Sequence, residues 1–354
     1  MGNHPAFRYR KGVIMRFVQH TDDGSGPGPV ASPLVDNFNR SISYLRLAIT
    51  DRCNLRCRYC MPEQGVVPMS HAELLSYEEL ERLVSICLGL GISKVRVTGG
   101  EPFVRKGCVD FMDRLKRQLG VKGLYVTTNG VDTAPHLPRL QEIGIDGINL
   151  SLDTLDRNWF RNITRRDRLD QVLATLYGAL ERDIRIKINS VVEEDTPDED
   201  LTALARLART NPLSLRFIEK MAFSGGGSRP PQRPLADRLQ RLFPAMAKIE
   251  QQGISTARLF RVPGFVGTLG IIEGYSRHFC ATCNKIRVTP NGMLKTCLYD
   301  DGVLDLRQML RNGLTDEAIG AAIRESVSRR FANGHLTEKS LKNHGEPSMA
   351  TIGG

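Results

Sequence analysis

Arg46-Leu47-Ala48-Ile49-Thr50-Asp51-Arg52-Cys53-Asn54-Leu55-Arg56-Cys57-Arg58-Tyr59-Cys60-Met61-Pro62 runs from an alternating, strand-like segment into a loop with cysteines spaced C-x3-C-x2-C. Three thiolates alone do not complete a four-ligand structural zinc site. On a [4Fe–4S] cluster the same three leave one iron without a protein ligand, open to a cofactor or substrate. A zinc loop with a distant fourth ligand, or packed thiols, are the other readings of this spacing.

Outward from this loop, strand and helix patterns alternate. Residues 44–50 read as a strand, and 76–90 as a helix opened by Ser76 with Glu79 three residues on, a capping box. Strands follow at 94–98, 124–128, 147–151, 184–192 and 213–218, with helical spacing at 107–119, 135–143, 169–181 and 197–209 between them. Six strand–helix units predict a parallel sheet curled by right-handed crossovers, two units short of a closed eightfold barrel. After Met221, Ser224-Gly225-Gly226-Gly227-Ser228 with Pro230, Pro231 and Pro234 reads as a loop. The expected fold is therefore α/β: an open (β/α)6 partial TIM barrel with a separate, β-rich C-terminal module. The expected divisions are an appendage over 1–35, the barrel over 36–221, the module over 222–340 and a tail over 341–354 ending in Gly353-Gly354.

The appendage carries linker composition at Gly24-Ser25-Gly26-Pro27-Gly28-Pro29, and its apolar stretch is broken by Arg16, a poor signal peptide. Asp22 and Asp23 argue against an organellar transit peptide. No run of eighteen apolar residues is present, so no membrane-spanning helix is expected. Eight cysteines without a secretion signal suit a reducing, cytoplasmic compartment. Cys87 and Cys108 fall in helical patterns and read as packed thiols; the other six form two metal-spaced groups. The charge of +10 suits an anionic partner, the alternative being a merely basic, solvated surface. One Trp and eight Tyr are few for a base-stacking surface, which favours a small polyphosphate over nucleic acid.

Function in parallel barrels gathers at the C-terminal ends of the strands. There lie Thr98-Gly99-Gly100-Glu101-Pro102, Thr127-Thr128-Asn129-Gly130 and Ser151-Leu152-Asp153. The fifth strand carries Lys187 and Asn189, and the sixth Arg216, Glu219 and, just beyond, Met221. Paired glycines permit close backbone approach, read here as approach to a ligand. A second set, Cys280-x2-Cys283-x13-Cys297, encloses Asn284-Lys285-Ile286-Arg287. On a strand Lys285 and Arg287 share a face, a grip for phosphates. One zinc on these three cysteines and a fourth group such as His278 is the alternative.

C-x3-C-x2-C followed one unit later by Gly-Gly-Glu-Pro resembles the radical S-adenosylmethionine (SAM) enzymes. The second triad, its intervening basic motif and the Ile352-Gly353-Gly354 end resemble, within that superfamily, the GTP 3′,8-cyclase family of molybdenum cofactor biosynthesis over about residues 36–354. The resemblance implies two [4Fe–4S] clusters, one on Cys53, Cys57 and Cys60, the other on Cys280, Cys283 and Cys297. It implies SAM contacts at Tyr59, Gly100, Glu101, Ser151 and Met221, and GTP contacts at Arg46, Arg96, Thr127, Lys187, Arg216, Lys285 and Arg287. Gly353 and Gly354 are implied to enter the active site and assist turnover.

By the same resemblance, a deoxyadenosyl radical takes hydrogen from ribose C3′, and the carbon radical adds to guanine C8, a lyase-type cyclisation. The product passes to a cyclic pyranopterin monophosphate synthase; a homodimer is implied, with no nucleic acid and no membrane. The electron donor is not named by any residue. Family members commonly carry Arg where Lys285 stands, so this position keeps the charge and lacks the planar fork. A peptide-modifying radical SAM maturase with an auxiliary cluster is the rival enzyme. Such modules usually need more cysteines than the three after residue 270. A nucleic-acid-binding iron–sulfur or zinc protein is the rival of another class, and it gives no account of Gly99-Gly100-Glu101.

Overall fold

The computed structural model describes residues 33–221, 233–250, 253–340 and 349–353. Nearly all of the expected appendage, most of the Gly/Pro-rich loop after Met221, and Gly354 lie outside the described residues. Strands β1 (Tyr44–Ala48), β2 (Lys94–Thr98), β3 (Gly123–Thr128), β4 (Gly147–Ser151), β5 (Ile186–Val192) and β6 (Ser214–Glu219) pair side by side in parallel. Each alternates. Leu45 and Leu47, Val95 and Val97, Leu124 and Val126, Ile148 and Leu150, and Leu215 and Phe217 are fully buried beneath the helices. The polar residues between them occupy the other face, as a period of two requires.

Helices α1 (Tyr77–Gly89), α2 (Cys108–Arg117), α3 (Leu137–Ile143), α4 (Arg157–Thr164), α5 (Leu169–Glu181) and α6 (Asp198–Thr210) connect the strands. The capping box forms: Ser76 Oγ accepts from Glu79 N at 3.2 Å while Ser76 N donates to Glu79 Oε2 at 2.7 Å. Helix α4 is not among the elements expected from periodicity, because its buried face is only Phe160, Ile163 and Thr164. Its start is a local signal, the Asp156 carboxylate accepting from Trp159 N at 2.7 Å. Cys87 and Cys108 are packed in the core.

The C-terminal part does not stand apart. Strand β9 (Thr268–Ile272) adds in parallel to β6, followed outward by antiparallel β8 (Arg258–Arg261) and β7 (Ala247–Lys248). On the opposite edge β10 (Lys285–Val288) adds in parallel to β1, followed by antiparallel β11 (Met293–Lys295) and β12 (Leu304–Asp305). The result is one open sheet of order β12-β11-β10-β1-β2-β3-β4-β5-β6-β9-β8-β7. A six-strand parallel sheet would leave the N–H and C=O groups of β1 and β6 unpaired; the C-terminal strands satisfy both edges. This part is mixed rather than chiefly β, carrying α7 (Leu235–Leu242), α8 (Leu306–Arg311), α9 (Asp316–Ser328), α10 (Gly334–Ser340) and α11 (Met349–Ile352). Among the described residues no helix is long and apolar enough to cross a membrane.

Candidate active site

The polar face of the sheet lines a cavity of about 1000 Å³. In closed barrels this interior is filled by apolar layers; here the strand register builds polar ones. Arg287, Arg46 and Arg96 stand side by side across β10, β1 and β2, and Arg96 pairs with Tyr125 on β3. Lys285 and Lys94 flank Tyr44. Lys94 Nζ lies 4.8 Å from the Tyr44 ring centre and 4.2 Å from that of Tyr125. Thr127, Asn149 and Lys187 continue the layer across β3, β4 and β5, with Asn189 against Arg216 on β6.

Gathering cations in a partly buried cavity shifts their proton equilibria. Burial, then Arg216 and Lys94, pulls Lys187 down to about 7. Burial and neighbouring cations likewise bring Lys94 and Lys285 to about 8, and burial with Arg96 brings Arg216 to about 10. Arg96 Nε, Arg216 Nε, Thr127 Oγ1, Asn149 Oδ1 and Asn189 Oδ1 are buried without a hydrogen-bond partner. Buried polar atoms left unpaired are costly, so this surface is arranged for a polar, anionic ligand.

The two cysteine triads line the same cavity. Cys53, Cys57 and Cys60 follow the C-terminal end of β1, whereas Cys280 and Cys283 precede the N-terminal end of β10, its parallel neighbour. Cys297 follows β11, which runs antiparallel to β10 and so returns to that same end. The triads thus flank the polar layers from opposite ends, separated by about five residues of strand, roughly 16 Å at about 3.3 Å per residue.

Cys53 Sγ accepts from Leu55 N at 3.4 Å and from Asn129 Nδ2 at 3.6 Å. Burial, then Asp153 and the other two thiols, pushes the Cys57 thiol well up from its ordinary value. A soft cation relieves that mutual repulsion. Among the described residues no three His, Cys, Asp or Glu side chains converge as a single metal ion requires. Thiol triads on tight loops facing a cavity fit a multi-iron cluster, which distributes its ligands over separate irons.

Besides lining the cavity, the glycine pair approaches another stretch of backbone closely. A Cβ on Gly99 would sit 2.5 Å from Thr50 O, and one on Gly100 2.3 Å from Arg52 O. Gly100 N donates to Thr50 O at 2.7 Å and Glu101 N to Arg52 O at 2.8 Å. The turn is therefore pressed against the backbone that presents the first cysteine triad. Gly100 lines the cavity, as do Tyr59, Ser151 and Met221. Glu101 is fully buried and is not among the lining residues. Its carboxylate accepts from Asn129 N at 2.7 Å and Thr128 Oγ1 at 2.8 Å, and burial pushes it up to about 7.

Gly353 lies inside the structure. Arg287 Nη1 donates to its carbonyl at 2.9 Å, and its φ of +86° with a Cβ position 2.8 Å from the Ala48 Cβ admits only glycine without strain. Arg46, Arg96, Thr127, Lys187, Arg216, Lys285 and Arg287 all line the cavity. Sequence reasoning overlooked Lys94, although the period of two that placed Arg96 and Thr98 on one face also places Lys94 there. It also overlooked Asp153 as a positioning group: the carboxylate accepts from Tyr59 OH at 2.8 Å and Val191 N at 2.7 Å.

The Radical SAM superfamily model matches residues 47–208, and the Molybdenum Cofactor Synthesis C model matches residues 213–336. A GTP 3′,8-cyclase of Heliobacterium modesticaldum is 38% identical over 91% of this chain and 100% of that protein. The mitochondrial GTP 3′,8-cyclase of Arabidopsis thaliana is 36% identical over 96% of this chain and 88% of that protein. Mouse molybdenum cofactor biosynthesis protein 1 is 38% identical, and the match spans about half of its length (52%). Among solved structures, Streptococcus suis SuiB bound to its precursor peptide SuiA superposes with a TM-score of 0.58 at 16% identity, covering 89% of this chain and 72% of that one. This is a likeness of fold. The polar barrel interior with a thiol triad at each end, and relatives matched over nearly their whole length, lead to one assignment: this chain belongs to the GTP 3′,8-cyclase family of the radical SAM superfamily.

Proposed function

We propose that the protein converts GTP to (8S)-3′,8-cyclo-7,8-dihydroguanosine 5′-triphosphate, a lyase-type cyclisation that opens molybdopterin synthesis. One observation carries this reading: a row of buried and half-buried cations, with an unpaired Nε on Arg96 and on Arg216, lies in a single cavity between two cysteine triads. Cys53, Cys57 and Cys60 hold one [4Fe–4S] cluster and Cys280, Cys283 and Cys297 the other. SAM held at the first cluster would supply radical chemistry able to take hydrogen from an unactivated carbon.

The chain's own work is placement and exclusion of water. Tyr59, Gly100, Ser151 and Met221 face SAM, with Asp153 fixing the Tyr59 ring through its hydroxyl. Glu101 acts at the same ligand's amino group through the Thr128–Asn129 turn that it holds. Arg46, Arg96, Lys187, Arg216, Lys285 and Arg287 neutralise the triphosphate, and Thr127 offers an unpaired hydroxyl. A charge near −4 buried without several cations is prohibitively expensive. Gly353, whose carbonyl Arg287 holds, and Gly354 assist turnover. The product passes to cyclic pyranopterin monophosphate synthase, the protein works as a homodimer, and it resides in a reducing cytoplasm that keeps six cluster thiols free. The peptide-modifying alternative has only a fold-level likeness at 16% identity behind it.

Anaerobic reconstitution with iron and sulfide, followed by SAM, GTP and a reductant, tests the reading. The expected result is about eight irons per chain, with 5′-deoxyadenosine released only when GTP is present. Release indifferent to GTP sinks the cyclase.

A further inference from the structure

Asp36, Arg40 and Arg330 form a buried cluster that belongs to none of the motifs above. The Asp36 side chain is 0% exposed, Arg40 7% and Arg330 4%. Asp36 accepts from Arg40 Nε at 2.6 Å, from Phe38 N at 2.9 Å and from Arg330 Nη1 at 3.4 Å. Arg40 turns its other nitrogens outward from this pair: Nη1 donates to Cys280 O at 2.8 Å and Ala332 O at 2.7 Å, and Nη2 to Phe331 O at 3.0 Å. Arg330 donates to Cys283 O at 3.2 Å and, from Nη2, to Cys283 Sγ at 3.4 Å.

The charges do not cancel. Two guanidinium groups, which keep their protons in proteins, share one carboxylate, leaving one unit of positive charge in the interior. A buried charge without a counter-charge costs several kcal/mol. The anion within reach is the Cys283 sulfur. A protonated thiol does not answer the charge; a thiolate on iron does.

We infer that Arg330 is the charged hydrogen-bond donor that sets the reduction equilibrium of the cluster held by Cys280, Cys283 and Cys297, with Asp36 and Arg40 as the frame that aims it. This rests on the two-cluster reading above. Adding one electron makes a cluster more negative, and an N–H···S bond from a cation stabilises that state more than the oxidised one. Arg330 touches the ligand sulfur rather than substrate, so it is a positioning residue acting through Cys283. At the first triad, Cys53 Sγ accepts from a backbone amide and from the neutral Asn129 amide.

The test is a redox titration of the reconstituted full chain followed by electron paramagnetic resonance. A Cys57→Ala background leaves the second cluster's signal alone. Arg330→Gln removes the charge and keeps a donor; Arg330→Lys keeps the charge. In Arg330→Gln the reduction equilibrium constant is expected to fall about tenfold or more, about 59 mV for one electron, while Arg330→Lys stays within about threefold of the parent. Loss of the second cluster's iron in Arg330→Gln with retention in Arg330→Lys makes the charge a requirement for holding the cluster rather than a setting of its reduction, and overturns the inference as stated. An unchanged equilibrium in Arg330→Gln, an equal shift in Arg330→Lys, or loss of iron in both overturns the inference. If Cys57→Ala alone binds no cluster, it is the two-cluster reading that fails, and the two failures are distinguished by that control.

Discussion

The thiols of Cys53 and Cys57 sit beside the Asn129 amide and Asp153, with Arg56 on the Cys53 carbonyl, whereas at Cys280 and Cys283 arginines reach both carbonyls and the Cys283 sulfur. At the first, Asp153 holds Tyr59 through its hydroxyl and Glu101 holds the Asn129 turn. At the second, Arg40 clamps the Cys280 carbonyl and Arg330 reaches the Cys283 sulfur. The consequence is visible in the thiols. Burial, with Asp153 and the neighbouring thiols adding to it, pushes Cys57 up; at Cys283 the same burial is outweighed by Lys285 and Arg330, and the thiol is held below its ordinary value. Cys57 and Cys283 are thus shifted in opposite directions, while burial pushes Cys280 and Cys297 up. An anionic setting disfavours adding an electron and a cationic one favours it.

The comparison breaks most sharply at the ligands themselves. Cys57→Ala should abolish 5′-deoxyadenosine release and lose about four irons, while Cys297→Ala should lose about four irons and keep SAM cleavage. Iron analysis with product chromatography reads both, and loss of SAM cleavage in both variants would mean the ends are not independent.

Between the ends, Lys187→Met and Arg216→Met should each weaken GTP about 10- to 150-fold, from about 1.5–3 kcal/mol per charged hydrogen bond. SAM affinity measured by calorimetry should not move; a parallel loss of SAM affinity would dissolve the division of labour. Gly353→Ala adds a Cβ at positive φ, 2.8 Å from Ala48 Cβ. Product formation should fall about 5- to 30-fold, on about 1–2 kcal/mol of backbone strain, with both clusters and GTP binding intact. Unchanged turnover would remove Gly353 from the active geometry.

The smallest effect is a fraction of a proton or two. Burial holds Lys187 at about 7 and Lys94 and Lys285 at about 8. A bound polyanion favours the charged forms, so GTP binding at pH 8 should take up about one to two protons, and affinity should fall as pH rises above 7. In the chain without nucleotide the sign reverses. An unfolded lysine keeps its proton up to about 10.5 and folded Lys187 only to about 7, so the unfolded state binds more protons and stability rises with pH across that window. Calorimetry in buffers of different ionisation heat reads the uptake; none at pH 8 would mean these lysines are already charged or do not meet the triphosphate.

Much of the site was legible because its signals are local. Ligand spacing within a loop and alternation along a strand are properties of a few consecutive residues, and they placed both triads, Arg46, Arg96 and Lys187 on the cavity. The Gly99-Gly100 pair was legible as close approach, but its partner was not: the backbone it meets belongs to the cysteine loop, two elements earlier. Helix α4 escaped because three buried positions in eight residues make too weak a period. Asp36, Arg40 and Arg330 escaped for a different reason: each is an ordinary charged residue until its partners, nearly three hundred positions away, are known.

The sequence by itself determined the six strand–helix units, the two incomplete thiolate sets and a charge balance suited to an anionic ligand. Tertiary structure alone decided that the C-terminal segment seals both edges of the sheet, so that Arg287 stands beside Arg46 and Gly353 reaches Ala48. Pairing an exposed strand edge depends on which backbone groups remain unsatisfied once the rest has folded, and no local period carries that information. The cysteine loops could be read one at a time; the cavity they share, and the opposite shifts of Cys57 and Cys283, could not.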